Sequence, residues 1–254
     1  MATIFLDVDG TLLDSKSHLI PESTIKALKL AQTNNHKLVI ATGRHLTKLL
    51  EIKQIRQIKW DAYILDNGSL ILDNNYQVLN KLTLDNKTVE QLIAECEKLK
   101  IKISLQLSDS IILPLGIDRY VKNTYDFLGW ELKDQIRSYQ GEEVIYALIY
   151  QDREKDFSHF EKFDLAVYPN NSDYADLNHP MASKAHGLNF INSKFKMESY
   201  CFGDGANDIS MFEVADTAVA MANACDELKE KADYLTSGVD NDGIYNAFKH
   251  FDLI

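Results

Sequence analysis

The amino-acid sequence predicts an α/β protein in which a doubly wound parallel sheet is interrupted by an inserted α+β domain. Three observations support this fold class. Short apolar runs end in polar or glycine-containing turns and alternate with helix-like segments. This alternation extends from the N-terminus to about residue 65 and resumes from about residue 181 to the end. In the stretch between them, strand-like runs adjoin one another, which is a different pattern.

The predicted strands of the core are short and almost wholly apolar, as is typical of parallel strands buried on both faces. Between the first two of them, the segment PESTIKALKLAQTNN predicts a helix, because Pro21 suits the first helical position. Ile25, Leu28 and Ala31 then recur at helical spacing. The predicted core strands are residues 3–8, 37–41, 61–65, 199–203 and 217–220.

The inserted segment combines helices with neighbouring strands, so we expect a core domain at residues 1–81 and 179–254 and an inserted domain at residues 82–178. Four aromatic residues at roughly helical spacing are expected in its core, the alternative being that they line a substrate: Tyr120, Tyr125, Phe127 and Trp130. Its predicted elements are a helix at 86–99, strands at 101–107 and 110–114, a helix at 117–128, and strands near 143–150, 163–168 and 173–177.

Composition excludes several classes of function. The chain has 254 residues and a formal net charge of −11, and this acidic field repels phosphate backbones, which argues against nucleic-acid binding. A small anionic ligand would need a local cation, such as a metal ion. The three cysteines show no zinc-site or disulfide spacing, and no apolar run resembles a membrane span or a signal peptide. We therefore expect a cytoplasmic protein without membrane partners, whose oligomeric state the sequence leaves open.

Two carboxylates follow the first apolar run, in the stretch TIFLDVDGTLLD. Asp7 and Asp9 are two residues apart, so their side chains point to the same side if the strand stays extended that far. Neighbouring carboxylates push their pKa values apart, which suits one for nucleophilic attack and the other for proton transfer. The alternative is an ordinary Asp9-Gly10 turn with Asp7 at the surface.

More acidic residues follow another apolar run, in YCFGDGANDISMF. The carboxyl ends of parallel strands meet along one edge of a sheet, which would bring Asp204 close to Asp7 and Asp9. Their oxygen atoms suit a hard cation, for which Mg²⁺ is the natural candidate. The alternative is that Asp204, Asn207 or Asp208 caps the helix that follows.

Four short motifs occur in a fixed order along the chain: DVDGT at residues 7–11, ATGR at 41–44, Lys184 in MASKAHGLNFI, and GDGAND at 203–208. Together they resemble the motif set of the haloacid dehalogenase superfamily. The inserted segment is similar to the large cap of its Cof-type phosphatase subfamily. This resemblance covers nearly the whole chain and implies a Rossmann-like core, a cap that acts as a lid, and a magnesium-dependent phosphatase.

The resemblance implies a role for each aspartate. Asp7 would be the nucleophile that forms an aspartyl phosphate, and Asp9 would protonate the leaving alcohol and then take a proton from water. Magnesium would be held by the Asp7 carboxylate, the Asp9 main-chain carbonyl and Asp204, with Asp208 as an indirect or water-mediated ligand. The substrate would be a small phosphorylated metabolite, such as a sugar phosphate or a phosphorylated cofactor.

Phosphoryl transfer also needs groups that position the phosphate and neutralise its oxygens. The hydroxyl of Thr42 and the main chain at Gly43 can donate hydrogen bonds, and Lys184 brings a positive charge. By the resemblance, Asn207 also contacts the phosphate. Taken alone, Thr42 and Lys184 would be an ordinary strand-end threonine and a solvated lysine. Their order relative to the aspartates favours the functional interpretation.

Two further positions have two interpretations each. Arg44 either reaches the substrate or lies on the surface of the following helix. Asn67-Gly68 either lies near the pocket, as in related proteins, or forms the turn of a β-hairpin, and the hairpin is favoured.

Two other functions stay open on the sequence alone. A phosphomutase of related fold would return the phosphoryl group to the substrate instead of water. A phospho-ligand binding protein without turnover would keep the fold, but it would have no need for the proton-carrying Asp9. The phosphatase is therefore the leading hypothesis, and the sequence does not identify the residues that choose its substrate.

Overall fold

Strands and helices alternate along the part of the chain that the computed structural model describes, residues 1–170 and 172–254. Their order and pairing confirm the predicted α/β class with an inserted α+β segment. The strands are β1 (Ala2–Leu6), β2 (Lys37–Ala41), β3 (Ala62–Leu65), β4 (Leu70–Asp73), β5 (Val78–Lys81), β6 (Lys102–Gln106), β7 (Ile111–Ile112), β8 (Tyr146–Tyr150), β9 (Ala166–Pro169), β10 (Tyr174–Asn178), β11 (Glu198–Gly203), β12 (Thr217–Ala220) and β13 (Tyr234–Leu235).

The first helix buries Ile25, Leu28 and Ala31, as their spacing predicts, and Pro21 lies one residue before its start. Among the described residues, no helix has the length and apolar character that crossing a membrane requires. The α-helices are α1 (Glu22–Thr33), α2 (Leu46–Leu49), α3 (Asn86–Leu99), α4 (Arg119–Leu128), α5 (Lys184–Phe195), α6 (Ile209–Phe212), α7 (Asp226–Lys231) and α8 (Gly243–His250). Short 3-10 helices occupy Lys53–Gln57, Asp66–Gly68, Ser158–Phe163 and Ala206–Asp208.

The chain divides into two compact units, and each contains its own sheet. The first unit comprises Met1–Arg44, Ile52–Asn80 and Ser183–Ile254. The second unit comprises His45–Glu51 and Lys81–Ala182.

The short helix α2 belongs to the second unit, although the sequence interpretation placed the stretch around it in the core domain. Lys48 in this helix is almost fully buried. Its ammonium group donates a hydrogen bond to the main-chain oxygen of Glu131 (2.7 Å) and pairs with the carboxylate of Asp134 (3.0 Å). Because a buried charge without partners is strongly unfavourable, these contacts hold α2 in the second unit.

The first unit is built on an eight-stranded sheet in the order β13-β12-β11-β1-β2-β3-β4-β5. Neighbouring strands are parallel from β13 to β3, and β4 is antiparallel to β3. Every residue of β1 is buried, which explains why the central strands are visible as apolar runs. The sequence interpretation did not include β4, β5 and β13 among its strands.

The pair Asn67-Gly68 lies in the turn between the antiparallel strands β3 and β4, which confirms the predicted hairpin. Both residues have positive φ angles, 52° and 92°. The N–H group of Asn67 donates to the main-chain oxygen of Thr42 at 3.1 Å. The hairpin turn is therefore joined to the loop that follows β2.

The topology gathers several loops at one edge of the sheet. Because β11, β1 and β2 are adjacent and parallel, the residues that follow them lie side by side, namely Asp204, Asp7 and Thr42. Helix α5 packs on this sheet through apolar residues such as Leu188 and Ile191. That packing fixes the start of α5 close to the same edge.

The second unit contains a five-stranded antiparallel sheet in the order β7-β6-β8-β10-β9. One face of this sheet packs against α3, and the cluster includes Ile103, Ala147 and Leu177 from the strands with Val89 and Leu92 from the helix. These elements follow the predicted order of helices and strands in the inserted segment.

The aromatic residues of α4 and its C-terminal end are only partly in the core. Tyr125 and Trp130 are buried and contact each other edge to face, with ring centroids 5.6 Å apart. Tyr120 is half-buried, and Phe127 is 56% exposed, so the prediction was wrong for Phe127. The buried face of α4 carries Val121 and Tyr125, and a residue two positions beyond Tyr125 points to a different side of the helix.

Candidate active site

Three aspartates meet at the edge of the core sheet where β1 and β11 end. Asp7 follows β1, and its N–H group donates to the main-chain oxygen of Phe202 at 3.0 Å, which keeps it beside β11. Asp204 follows β11, and Asp208 lies at the end of the next 3-10 helix. One carboxylate oxygen from each of the three lies within 4.8 Å of the others. Acids that are far apart in sequence are thus close together in space.

Lys184 lies between two of these acids. Its buried ammonium group is 2.6 Å from Oδ1 of Asp7 and 2.5 Å from Oδ1 of Asp208. Ser183 caps α5 by accepting a hydrogen bond from the N–H group of His186 at 3.0 Å, which fixes the helix start that carries Lys184. Burial alone would lower the pKa of Lys184, but the charges of Asp208 and Asp7 outweigh it and raise the pKa. Lys184 is therefore a stable positive charge.

The acid cluster holds more negative charge than Lys184 can balance. Burial raises the pKa of Asp7 well above its usual range; Lys184 opposes this shift, whereas Asp208 and Asp204 add to it. Burial, with a contribution from Asp208, also raises the pKa of Asp204 to about 7. A divalent cation would relieve this repulsion, and an all-oxygen donor set is the kind that Mg²⁺ prefers. The residues present therefore fit a magnesium ion.

Both oxygens of the buried Asp208 carboxylate have partners. Oδ1 pairs with Lys184, and Oδ2 accepts hydrogen bonds from the N–H groups of Asp204 and Gly205, each at 2.9 Å. A Cβ atom at Gly203 would lie 2.6 Å from the carboxylate carbon of Asp208, so the turn closes because Gly203 has no side chain. Asp208 thus fixes the loop that presents Asp204, which agrees with the capping alternative as well as with a role near the metal.

Asp9 is not one of the three clustered acids, but its charge contributes to the raised pKa of Asp7 and of Asp204. The strand β1 ends at Leu6, and the chain then forms a turn in which the carbonyl of Val8 accepts hydrogen bonds from N–H groups of residues 11–13. The strand therefore does not stay extended to Asp9, which was the condition for the predicted convergence of Asp7 and Asp9. The Asp9 carboxylate is bound by Arg44, with Nε 2.7 Å from Oδ2 and Nη2 2.6 Å from Oδ1. Arg44 is buried, so its interpretation as a surface residue is wrong.

Gly10 allows the first loop to approach Asp204. It has a φ of 82°, and a Cβ atom at this position would lie 2.1 Å from Oδ2 of Asp204. The hydroxyl of Thr11 donates to Oδ1 of Asp204 at 3.1 Å. Asn223 donates from Nδ2 to the carbonyl of Gly10 at 2.8 Å and to Oδ2 of Asp204 at 3.4 Å. Sequence reasoning missed Asn223, because no local pattern marks it.

Thr42, Gly43 and Asn207 come from loops at the same edge. Thr42 is buried, and its Oγ atom accepts a hydrogen bond from the N–H group of Arg44 at 3.1 Å. A Cβ atom at Gly43 would lie 3.1 Å from Oδ1 of Asn67, and the same oxygen accepts a hydrogen bond from Nδ2 of Asn207 at 3.0 Å. Asn67 therefore links these loops, a role that the hairpin interpretation did not include.

The arrangement combines three kinds of group within one unit of the protein. A buried carboxylate is paired with an ammonium group, a separate carboxylate is held by a guanidinium group, and hydroxyl and amide groups lie on the adjoining loops. Such a set can bind a divalent cation together with an anion that carries several oxygens.

Known proteins resemble this chain over its full length. The family model described as haloacid dehalogenase-like hydrolase matches residues 4–248. The Bacillus subtilis protein named putative phosphatase YkrA is 31% identical over 257 residues, 99% of this chain and 98% of that protein. The 5-amino-6-(5-phospho-D-ribitylamino)uracil phosphatase YcsE of the same organism is 28% identical, over 98% of this chain and 95% of its own length. Among solved structures, the HAD subclass IIB sugar phosphatase BT4131 has a TM-score of 0.86 with 31% identity, covering 100% of both chains.

Proposed function

This chain belongs to the haloacid dehalogenase-like hydrolases, and we propose that it is a magnesium-dependent phosphatase that hydrolyses a small phosphorylated metabolite through an aspartyl-phosphate intermediate. The observation that carries the proposal is the pairing of the buried Asp7 carboxylate with Lys184 inside an acid cluster that fits Mg²⁺. We propose sugar phosphates or phosphorylated cofactors as substrates, because similar proteins are named as phosphatases of a ribitylaminouracil phosphate and of sugars.

We assign Asp7 as the nucleophile. One of its carboxylate oxygens would attack phosphorus while the bond from phosphorus to the bridging oxygen of the substrate breaks, giving an aspartyl phosphate and an alcohol. Attack needs the ionised carboxylate, yet burial raises the pKa of Asp7. The ammonium group of Lys184, 2.6 Å away, stabilises the negative charge and so favours the reactive form.

We assign Asp9 as the residue that moves protons. In the first step it would give a proton to the leaving oxygen. In the second step it would take a proton from the water that attacks the aspartyl phosphate, which releases inorganic phosphate and restores Asp7. The Asp9 side chain is more exposed than that of Asp7, and this access to water supports the division of roles.

Four residues are our candidates for binding the transferred phosphoryl group. Thr42 offers a hydroxyl, Gly43 its main chain, Lys184 an ammonium group and Asn207 a carboxamide. Asn67 supports this set by holding the Asn207 side chain through a hydrogen bond of 3.0 Å.

The proposed magnesium ligands are the carboxylates of Asp7 and Asp204 and the main-chain carbonyl of Asp9, with Asp208 acting through water or through the loop that it fixes. When bound, the ion supplies positive charge that neutralises phosphoryl oxygens. The chain prepares for it by orienting Asp204, one oxygen of which accepts a hydrogen bond from Thr11.

We also propose a division of the chain into domains and a cellular location. Residues 1–81 and 179–254, except for α2 and the boundary residues that group with the second unit, would form the catalytic core, and residues 82–178 the inserted cap. The three cysteines are free thiols, which is compatible with the cytoplasmic location that we propose.

The direct test measures inorganic phosphate released from a panel of phosphorylated metabolites, with MgCl₂ and with EDTA. Hexose phosphates and 5-amino-6-(5-phospho-D-ribitylamino)uracil belong in the panel. We expect release from at least one compound, in the presence of magnesium only, and none from the Asp7→Asn variant, which keeps the shape of the side chain but not its nucleophile. Asp226→Asn is the matched control, because the Asp226 side chain is 100% exposed, and it should retain parental activity.

Other outcomes would change the proposal. Phosphate release that persists in Asp7→Asn, or that EDTA leaves unaffected, would contradict it. Isomerisation of a hexose phosphate without free phosphate would favour a phosphomutase. Ligand binding without turnover, unchanged in Asp9→Ala, would favour a non-catalytic binding protein.

A further inference from the structure

Arg44 binds both oxygens of the Asp9 carboxylate. Nε lies 2.7 Å from Oδ2, and Nη2 lies 2.6 Å from Oδ1. A planar guanidinium group that donates two parallel hydrogen bonds fixes both the distance and the plane of the carboxylate. A point charge such as a lysine ammonium group would fix only the distance.

The two partners differ in how firmly the rest of the protein holds them. The side chain of Arg44 is 4% exposed, whereas that of Asp9 is 45% exposed. The main chain of Arg44 is also fixed, since its N–H group donates to Oγ of Thr42 at 3.1 Å and its carbonyl accepts from the N–H group of Asp66 at 3.3 Å. The guanidinium group is therefore the fixed partner, and the carboxylate is the group whose orientation is selected.

The local main chain does not select that orientation. Asp9 lies beyond the end of β1 and immediately before the turn at Gly10, so strand geometry does not direct its side chain. A partly exposed aspartate in such a position has several staggered rotamers available. Proton transfer works only when the donor is within hydrogen-bond reach of the leaving oxygen, so the choice of rotamer matters for rate.

We propose that Arg44 is a positioning residue: it holds the Asp9 carboxyl group where it can exchange a proton with the leaving group, and it acts through Asp9 instead of binding the phosphate. When Asp9 carries the proton that it gives to the leaving oxygen, one carboxyl oxygen bears that proton and only the other keeps a hydrogen bond from Arg44. After the transfer both oxygens accept from Arg44, as in the structure. This inference rests on the proposed function, because it assigns proton transfer to Asp9. It also gives Arg44 a role that neither of its sequence interpretations contained.

Two rival roles predict different kinetics. If Arg44 bound the phosphate of the substrate, its loss would raise KM and lower kcat/KM equally for all phosphate esters. If Arg44 only stabilised the fold, its loss would lower stability and affect all substrates alike. A positioning role instead predicts that the damage depends on the leaving group, because a good leaving group departs without a proton.

The test compares the parent with Arg44→Met on phenyl phosphate and on p-nitrophenyl phosphate, with MgCl₂ in excess. Phenolate is a much more basic leaving group than p-nitrophenolate and so depends more on protonation, and kcat/KM reports the first chemical step. We expect Arg44→Met to lower kcat/KM about 10- to 100-fold for phenyl phosphate and less than about threefold for p-nitrophenyl phosphate. Arg153→Met removes an exposed arginine and should change neither value.

Combining Arg44→Met with an Asp9 variant shows whether Arg44 acts through Asp9. Asp9→Asn should show the same selective loss, and adding Arg44→Met to it should cause no further loss on phenyl phosphate, since no carboxyl group remains to be positioned. Equal losses on the two esters, or losses that multiply in the double variant, would overturn the inference. A parent protein that hydrolyses no phosphate ester would refute the proposed function and this inference with it.

Arg44→Lys keeps the inference testable if the methionine variant fails to fold, which a thermal melt reveals. It retains the positive charge but loses the two parallel hydrogen bonds. We expect the same dependence on the leaving group in weaker form. An Arg44→Lys variant that matches the parent on both esters would contradict the inference.

Discussion

Replacing Gly10 with alanine should damage the active site far more than it destabilises the fold. Gly10 has a φ of 82°, and an alanine in a left-handed conformation costs about 1–2 kcal/mol. The new Cβ atom would lie 2.1 Å from Oδ2 of Asp204, whereas unbonded atoms need more than about 3 Å. The carboxylate of Asp204 therefore has to move by about 1 Å, and a displacement of this size lowers the rate of an enzyme about 100-fold.

Gly141→Ala separates the two effects. Gly141 has a φ of 86°. Apart from its chain neighbours, no described residue has an atom within 4 Å of the Cβ that alanine would add, so this control has the backbone strain without the collision. We would measure unfolding in urea, and hydrolysis of p-nitrophenyl phosphate as a function of MgCl₂. Both variants should lose about 1–2 kcal/mol of stability, but only Gly10→Ala should lose activity and need more magnesium. If Gly10→Ala behaved like Gly141→Ala in both assays, the reasoning about Asp204 would be wrong.

Three further predictions concern charge, pH and thiols. Lys184→Met should lower the free energy of unfolding by about 3–5 kcal/mol, because it leaves buried carboxylates unpaired. The control Lys194→Met, at an exposed position of α5, should lower it by less than about 0.5 kcal/mol. Equal losses of the two variants in urea unfolding would contradict this prediction. Burial lowers the pKa of His36, so the folded protein binds a proton at this imidazole less readily than the unfolded chain does. The protein should therefore lose stability as pH falls below about 6.5. In the His36→Gln variant, the urea concentration at the unfolding midpoint should depend less on pH. Cys225 alone should react rapidly with DTNB before denaturation, because burial raises the pKa of the Cys96 and Cys201 thiols. Rapid reaction of all three thiols in the folded protein would refute this prediction.

The strands could be predicted from the sequence where burial is complete. All of β1 and nearly all of β2 are buried, so these strands are visible as apolar runs. The strand β5 is half-exposed, and β13 has two residues, so neither leaves such a run. Their places in the sheet depend on their neighbours more than on their own residues.

The sequence was enough to predict which residues form the candidate site, but not which contacts they make. The rule that neighbouring parallel strands end at one edge is enough to bring Asp7 and Asp204 together. The direction of Asp9 depends on the residue at which β1 ends, and its partner Arg44 is 35 residues away in the sequence. The contact of Asn223 with Gly10 spans an even longer separation, 213 residues, and no local pattern encodes it. The catalytic and metal-binding roles themselves stay predictions until the experiments above are done.

The pairing of β1 with β11 also determines when a working protein can first exist during synthesis. Lys184 and Asp7 are 177 residues apart along the chain, and a ribosome that adds about 5–20 residues per second needs roughly 10 to 35 s to make that stretch. Throughout this time the nascent chain carries an early strand whose β11-facing edge is unpaired, which makes it vulnerable to aggregation. Fragments that stop before β11 should therefore have no residual activity and should be degraded quickly.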